Sequence, residues 1–258
     1  MPVALFCLSI AALFCLRTAG LGAALGVAAA AAADRPRAVD AAVVLAADVS
    51  RSIDDEEFKL ERNGYAEAVQ SQSLLDVIST GPHGAIALAY VEWAGEGEQK
   101  LVAGWAVIRN AEDAKAFASR LSAAPRSFTG RTAIGSSIDY SASLFAENAL
   151  SADRRVIDVS GDGTSNQGPT VGTARDTAVG AGVVINGLAN RNLRAEALGG
   201  HIALHTNPPG GITQYYRDNV IGGAGAFVVP IEGFASFGDA MLRKLINEVA
   251  SSAREPPG

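Results

Sequence analysis

Two aspartates and three hydroxyl side chains form the set of residues whose types and spacing are suited to chemistry. Asp48, Ser50 and Ser52 follow an apolar segment in a D-x-S-x-S pattern. Thr132 lies in a Gly-Arg-Thr segment, and Asp162 lies between two glycines after another apolar segment. These residues offer only oxygen ligands, which suit a hard divalent cation. The set contains no His or Cys that would complete a nucleophile and base pair.

The apolar pattern places these residues at the ends of predicted strands. Strands are predicted at 41–47, 84–93, 101–108, 155–160, 182–188 and 226–230. Helices are predicted at 53–70, 111–121, 132–150, 169–179 and 234–250, with a short helix around 214–220 in an irregular segment, 191–222. Continuous apolar strands that alternate with amphipathic helices are typical of a mostly parallel sheet covered on both faces. Ligands bind beyond the carboxyl ends of such strands, where the five residues should converge.

In this order and spacing, the five residues resemble the metal-ion-dependent adhesion site (MIDAS) of von Willebrand factor type A (vWA) domains. The resemblance covers about residues 40–250, and the segments 155–163 and 214–223 resemble a bacterial family of exported vWA-like proteins of unknown function. It implies a Rossmann-like vWA fold, with a central, mostly parallel sheet, one antiparallel edge strand and helices on both faces. It also implies a metal site whose residues are Asp48, Ser50, Ser52, Thr132 and Asp162.

The roles implied by the resemblance describe a metal-dependent protein-binding module that is not an enzyme. Ser50 and Ser52 would bind the cation directly, and Thr132 directly or through water. Asp48 and Asp162 would hold coordinated waters. The expected ion is Mg²⁺, with Mn²⁺ or Ca²⁺ as alternatives, and an open coordination position would accept an Asp or Glu carboxylate of a protein partner.

The charge balance bears on the class of partner. The chain has 21 Lys and Arg against 27 Asp and Glu, a net charge of −6, with no basic cluster. This argues against nucleic-acid binding, which normally shows a basic stripe. Arg131, beside Thr132, is interpreted either as a residue at the rim that selects an acidic partner or as ordinary solvated surface.

Two other functions are compatible with parts of the pattern. The first is a Mg²⁺-dependent phosphohydrolase of haloacid-dehalogenase-like type, with Asp48 as nucleophile and Asp162 as metal ligand. Position 50 is then a Ser where a second Asp is needed, and no lysine lies between Lys115 and Lys244. The second is a metal-free structural or ligand-binding domain. In that case the serines and Thr132 only cap helices, and Asp162 only forms a turn.

Other polar residues are predicted to be structural. Asp158 lies inside an apolar strand, where a carboxylate needs a partner, so we expect a bond to a neighbouring loop. His201 and His205 are four residues apart but lack the Glu of an H-E-x-x-H zinc site, which predicts surface or loop histidines. Trp93 and Trp105 fall in strand patterns and are predicted to be in the core.

Residues 1–33 form an apolar segment whose only charged residue is Arg17. Its alanine-rich end predicts a signal peptide, and a retained N-terminal anchor is the alternative. Both cysteines, Cys7 and Cys15, lie in this segment, so the other 225 residues (258 − 33) contain none and carry a charge of −7 (20 − 27). We therefore expect export to the periplasm or surface of a bacterium, with a vWA-like domain at 40–252 and a disordered tail at 253–258.

Overall fold

A single sheet forms the centre of the described fold. The computed structural model describes residues 37–146 and 149–252, so the predictions for 1–33 and 253–258 lie outside the described residues. The strands are β1 (Arg37–Asp48), β2 (Ile86–Trp93), β3 (Gln99–Ile108), β4 (Leu150–Gly161), β5 (Val183–Arg191) and β6 (Val228–Glu232). Their order is β3-β2-β1-β4-β5-β6. Only β3 is antiparallel to its neighbour, which confirms the predicted mostly parallel sheet with one antiparallel edge strand.

Helices cover both faces of this sheet. They are α1 (Asp55–Gln70), α2 (Gln72–Ser79), α3 (Ala111–Ala123), α4 (Ile134–Ser143), α5 (Val171–Gly180), α6 (Leu193–Leu198), α7 (Gly200–Thr206), α8 (Gly211–Tyr215) and α9 (Phe237–Ser252), with a π-helical turn at Tyr216–Val220 and a 3₁₀ turn at Phe234–Ser236. Helices α1, α2, α3 and α9 pack on one face, and α4, α5 and α8 on the other. None of the helices in the described part is long and apolar enough to cross a membrane.

The central strands explain why the apolar runs are continuous. In β1, Val43 and Leu45 pack with the α1 and α9 side of the core, while Val44 and Ala46 pack on the other side. Alternate residues thus enter two different hydrophobic layers, so each position must be apolar. Trp93 is fully buried, as predicted. Trp105 on β3 is half-buried, and its ring packs 5.4 Å from that of Phe145.

Two predicted segments differ from the structure, and one helix was not predicted. The helix predicted at 132–150 is confined to α4, and β4 begins already at Leu150 because that residue pairs with Arg37 of β1. Pairing with β1 thus makes a strand of the polar residues before Arg155, against their weak strand propensity. Helix α2 was not predicted. The segment 191–222 contains three short helices and the π-helical turn, where a mostly irregular structure was expected.

Candidate metal site

The five predicted metal-site residues lie at one edge of the sheet. Asp48 ends β1, and Asp162 directly follows β4, the strand beside it. Ser50 and Ser52 lie in the loop between β1 and α1, and Thr132 lies just before α4. All five are buried, with 5% exposure or less. The carboxyl ends of adjacent parallel strands therefore bring them to the edge where ligands of such sheets bind.

Hydrogen bonds join the five residues. The Asp48 Oδ1 atom accepts from the Ser50 backbone N–H at 2.7 Å. The Ser50 and Ser52 hydroxyl oxygens are 3.2 Å apart, and the Ser52 hydroxyl donates to Asp162 Oδ1 at 2.6 Å. The Thr132 hydroxyl donates to Ser50 Oγ at 3.3 Å. The structure therefore brings all five side chains together, as the motif predicts.

The alternative in which the hydroxyls only cap helices does not describe this structure. The N-cap of α1 is Asp54, whose carboxylate accepts from the Glu56 and Glu57 backbone N–H groups. The N-cap of α4 is Ala133, with no side-chain capping bond. The hydroxyls of the site are instead directed to one another and to Asp162.

Backbone contacts hold the three loops of the site together. The Arg51 N–H donates to the Gly130 carbonyl at 3.0 Å, which joins the serine loop to the threonine loop. The Asn166 N–H donates to the Thr132 carbonyl at 2.8 Å, and Asn166 Oδ1 accepts from the Thr132 N–H at 3.1 Å. Asn166, in the loop after β4, thus binds both the N–H and the carbonyl group of Thr132.

The two aspartates of the site are buried without a positively charged partner among the described residues. Burial raises the pKa of Asp48 to about 8, and the nearby charge of Asp162 adds to the rise. Burial also raises the pKa of Asp162 to about 6, against hydrogen bonds that favour its ionised form. In the part of the chain that the structure describes, neither carboxylate forms an ion pair with Lys or Arg. Asp48 Oδ2 is buried without a hydrogen-bond partner.

These properties fit a divalent cation. Two buried carboxylates and three hydroxyls supply only oxygen atoms, the ligands that hard cations prefer. The unpartnered oxygen of Asp48 is a buried acceptor that the described protein atoms leave unsatisfied. Such a group is costly to bury unless a positive charge or donor compensates it.

Asn192 is a site residue that the sequence prediction missed. Its side-chain N–H₂ donates to Asp162 Oδ2 at 2.7 Å and to the Ser52 carbonyl at 3.1 Å. Its Oδ1 atom accepts from the Ala195 N–H at 2.8 Å and so caps α6. An Asn before a helix predicts the cap at most, and nothing in the sequence indicates the contact with Asp162.

His205 corrects the prediction of a surface or loop histidine. It lies on α7 and is half-buried, and burial lowers its pKa. Its Nε2 atom is 3.1 Å from the Thr132 hydroxyl oxygen, and its Nδ1 atom is 3.2 Å from that of Thr164. His201, on the same helix, is exposed as predicted. The short helices between β5 and β6 therefore bring an imidazole to the site.

A cavity of about 350 Å³ borders the site. Ser52, Thr132 and His205 contribute to its lining, together with the exposed side chains of Arg51 and Arg131. Two arginines therefore contribute to the lining beside the hydroxyls of the site. Their positive charges favour an anionic ligand.

Asp158 has a partner different from the predicted one. Its Oδ1 atom is 2.6 Å from Nζ of Lys244 on α9, so the contact is with a helix, where a loop was expected. Lys244 Nζ is also 2.5 Å from Glu248 Oε1, and all three side chains are fully buried. Lys244 is thereby separate from the cavity beside Thr132. The lysine that a phosphohydrolase would need is engaged elsewhere.

A second group of metal-capable side chains lies near the beginnings of β1 and β4, the opposite edge of the sheet. It comprises Asp40, His83 and Asp153, whose ligand atoms lie within 4.8 Å of one another. Asp40 is buried and accepts from the His83 and Ala85 backbone N–H groups at 2.8 and 3.2 Å. His83 Nε2 is 3.1 Å from Asp153 Oδ2. These contacts fix the loop before β2, and the sequence prediction did not include this group.

Solved structures with similar folds are of the vWA type. Proximal thread matrix protein 1 from the mussel byssus, with a zinc-occupied MIDAS motif, matches at a TM-score of 0.55 and 16% identity, over 83% of this chain and 49% of that chain. BatB from Bacteroides thetaiotaomicron matches at 0.52 and 17%, over 82% and 99% of the two chains. A von Willebrand factor type A protein from Catenulispora acidiphila matches at 0.51 and 15%, over 83% and 43%. The chain thus spans about half the length of the mussel protein.

These likenesses, with the strand order, define the class: the protein has a vWA-type, Rossmann-like α/β fold. Residues 38–253 match the family described as "Protein of unknown function (DUF1194)", and the chain belongs to that family. No curated protein matches the chain.

Proposed function

We propose that the protein is an exported, metal-dependent binding module that captures a carboxylate of a protein partner and has no enzymatic activity. Asp48, Ser50, Ser52, Thr132 and Asp162 would hold the divalent cation. When bound, the cation would supply the positive charge that attracts the partner's carboxylate. Mg²⁺ is the expected ion on oxygen ligands alone, with Mn²⁺ and Ca²⁺ as alternatives.

One observation carries this proposal. Two fully buried aspartates, one bonded to the Ser50 backbone N–H and the other to the Ser52 hydroxyl, form no ion pair within the described residues. Burial and mutual repulsion raise the pKa of Asp48, so its ionised form lacks a compensating charge. A bound divalent cation would provide that charge. The MIDAS motif occupied by zinc in the mussel protein of similar fold supports the same interpretation.

The lining of the cavity supports an acidic partner. Arg51 and Arg131 line the cavity, and both are exposed. A carboxylate that enters this cavity toward Thr132 would meet their positive charges. Such charges chiefly increase the rate of encounter and select against basic partners.

Export is part of the proposal and rests on the sequence. The apolar segment 1–33 precedes a chain that contains no cysteine after Cys15. Cell fractionation of the tagged full chain would test it, since recovery in the cytoplasmic fraction alone would contradict export.

Calorimetric titration of the protein with Mg²⁺ and Mn²⁺ tests the site. We expect one cation per chain for the wild type and loss of binding in Asp162→Ala. Glu56→Gln is the matched control, because it removes an exposed acid at the start of α1 without touching the five residues. Equal affinity in the wild type and Asp162→Ala would refute the site.

A chelator-sensitive pull-down from envelope extract, repeated with Asp162→Ala, would then identify the partner.

A further inference from the structure

His205 lies directly against two of the three loops that form the proposed site. Its imidazole packs on Gly163, the residue after Asp162. A Cβ atom at Gly163 would lie 2.3 Å from His205 Nε2, so only glycine leaves room for the ring. The same Nε2 atom lies 3.1 Å from the hydroxyl oxygen of Thr132. The ring therefore lies between the threonine loop and the loop after β4.

The nitrogen of His205 extends the connected set of ligand atoms. Thr132 Oγ1 is 3.3 Å from Ser50 Oγ, which in turn is 3.2 Å from Ser52 Oγ. An imidazole nitrogen thus lies next to Thr132, one of the three hydroxyl groups that the proposed function assigns to the cation. Imidazole is a preferred ligand of zinc and other late transition metals, whereas Mg²⁺ and Ca²⁺ favour oxygen atoms.

The other side of the His205 ring is held in place. Nδ1 is 3.2 Å from the Thr164 hydroxyl oxygen, and the His205 carbonyl accepts from the Thr164 N–H at 3.1 Å. A histidine that binds a metal through one nitrogen commonly has its other nitrogen fixed by such a contact. His201, one turn earlier on α7, is exposed and has no comparable contacts among the described residues.

We propose that His205 Nε2 is an additional ligand of the cation and makes the site selective for Zn²⁺ over Mg²⁺. This inference rests on the proposed function, since it requires a cation among Asp48, Ser50, Ser52, Thr132 and Asp162. It changes the expected metal preference, because an all-oxygen set becomes a mixed set with one nitrogen.

The chain contains three histidines, and this allows a direct spectroscopic test. In the double variant His83→Gln/His201→Gln, His205 is the only histidine left. We expect the zinc X-ray absorption spectrum of this variant, loaded with one equivalent of Zn²⁺, to show one imidazole. A spectrum without imidazole would overturn the proposal, and this outcome does not depend on whether a His205 variant folds.

Measured metal affinities provide a second test of the histidine ligand. We expect His205→Gln to lower the Zn²⁺ affinity by at least about tenfold and to change the Mg²⁺ affinity by less than about twofold. His201→Gln is the matched control on the same helix and should leave both affinities unchanged. An unchanged ratio of Zn²⁺ to Mg²⁺ affinity in His205→Gln would overturn the inference.

Asp162→Ala separates the two proposals. If Asp162→Ala abolishes binding of both ions while His205→Gln changes neither, the cation site stands and the histidine ligand is wrong. If Asp162→Ala binds both ions as the wild type does, the cation site itself is wrong, and the inference fails with it.

Discussion

Two buried carboxylate clusters, one within β4 and one at its end, differ in whether a lysine side chain accompanies them. In the interior, Asp158 and Glu248 share the ammonium group of Lys244, at 2.6 and 2.5 Å. At the end of the strand, Asp48 and Asp162 are bound by hydroxyl and amide donors and have no ion-pair partner within the described residues. Both clusters are fully buried.

Under the proposed function, the difference separates a structural cluster from a cluster that binds an ion. A buried carboxylate is costly without a compensating charge, and the interior cluster carries its own. The cluster at the end of the strands lies beside a cavity that Ser52 and Thr132 line, so the proposed ion would enter from there. Asp162 lies four positions after Asp158 and one residue beyond the end of β4, so Asp158 contacts α9 whereas Asp162 lies among the loops of the proposed metal site.

Removal of the built-in cation should have the largest effect. Lys244→Met leaves Asp158 and Glu248 buried without positive charge, and we expect a loss of about 3–5 kcal/mol in the free energy of unfolding. Urea denaturation followed by circular dichroism measures it. The control is Lys115→Met on the exposed surface of α3, which should change stability by less than about 0.5 kcal/mol. A loss below about 1 kcal/mol for Lys244→Met would show that the lysine does not balance this cluster.

Addition of a cation should stabilise the protein through the other cluster. At a free Mn²⁺ concentration about 100 times the dissociation constant, we expect about 2.7 kcal/mol of added stability, because only the folded state presents the site. Asp48→Asn should abolish this gain, whereas Glu56→Gln should retain it. Unfolding curves with Mn²⁺ and with chelator measure the difference. The same gain in Asp48→Asn would place the bound ion elsewhere.

The cation-dependent gain in stability should also depend on pH. Burial raises the pKa of Asp48 from 3.8 in the unfolded chain to about 8, so the folded, metal-free protein binds the extra proton between these values. Its stability therefore falls as pH rises through this range, and a cation that replaces the proton should stabilise more at about pH 8 than at about pH 5.

Comparison with Asp48→Asn isolates this effect, since the pKa values of buried Glu61 and Asp158 are also raised. Thermal unfolding at the two pH values, with and without Mn²⁺, provides the measurement. A metal-free wild type whose stability changes with pH as that of Asp48→Asn does would contradict the prediction.

A smaller effect is expected from Asn192, which holds Asp162 without being assigned to the cation. Asn192→Ala removes the donor at 2.7 Å from Asp162 Oδ2. We expect the cation affinity to fall by about tenfold to 100-fold, as is typical when a residue that orients a ligand is lost. Asn207→Ala, an exposed Asn at the end of α7, serves as the control. Calorimetric titration that gives equal affinities for Asn192→Ala and the wild type would rule out this positioning role.

Local patterns were enough to locate the six strands and the five motif residues. The apolar runs 41–47 in β1 and 86–91 in β2 are recognisable because both faces of the sheet are covered there, so no charged residue interrupts them. The extent of β4 was not predictable in the same way. Residues 150–154 (Leu-Ser-Ala-Asp-Arg) are mostly polar and become a strand through pairing with β1, a contact with a segment more than 100 residues away.

By itself, the sequence identified the five residues that offer oxygen atoms to a cation. It also showed that Asp48 and Asp162 follow apolar strands and that Thr132 begins a predicted helix. This information is local, since apolar periodicity and a D-x-S-x-S pattern are read within a few residues. Only the tertiary structure decided that His205 and Asn192 join Thr132 and Asp162, and that Asp158 is matched by Lys244. These partners are 30 to 86 residues apart in the chain (162 to 192 and 158 to 244). Their contacts depend on how the helices pack on the sheet, and no local pattern specifies that packing.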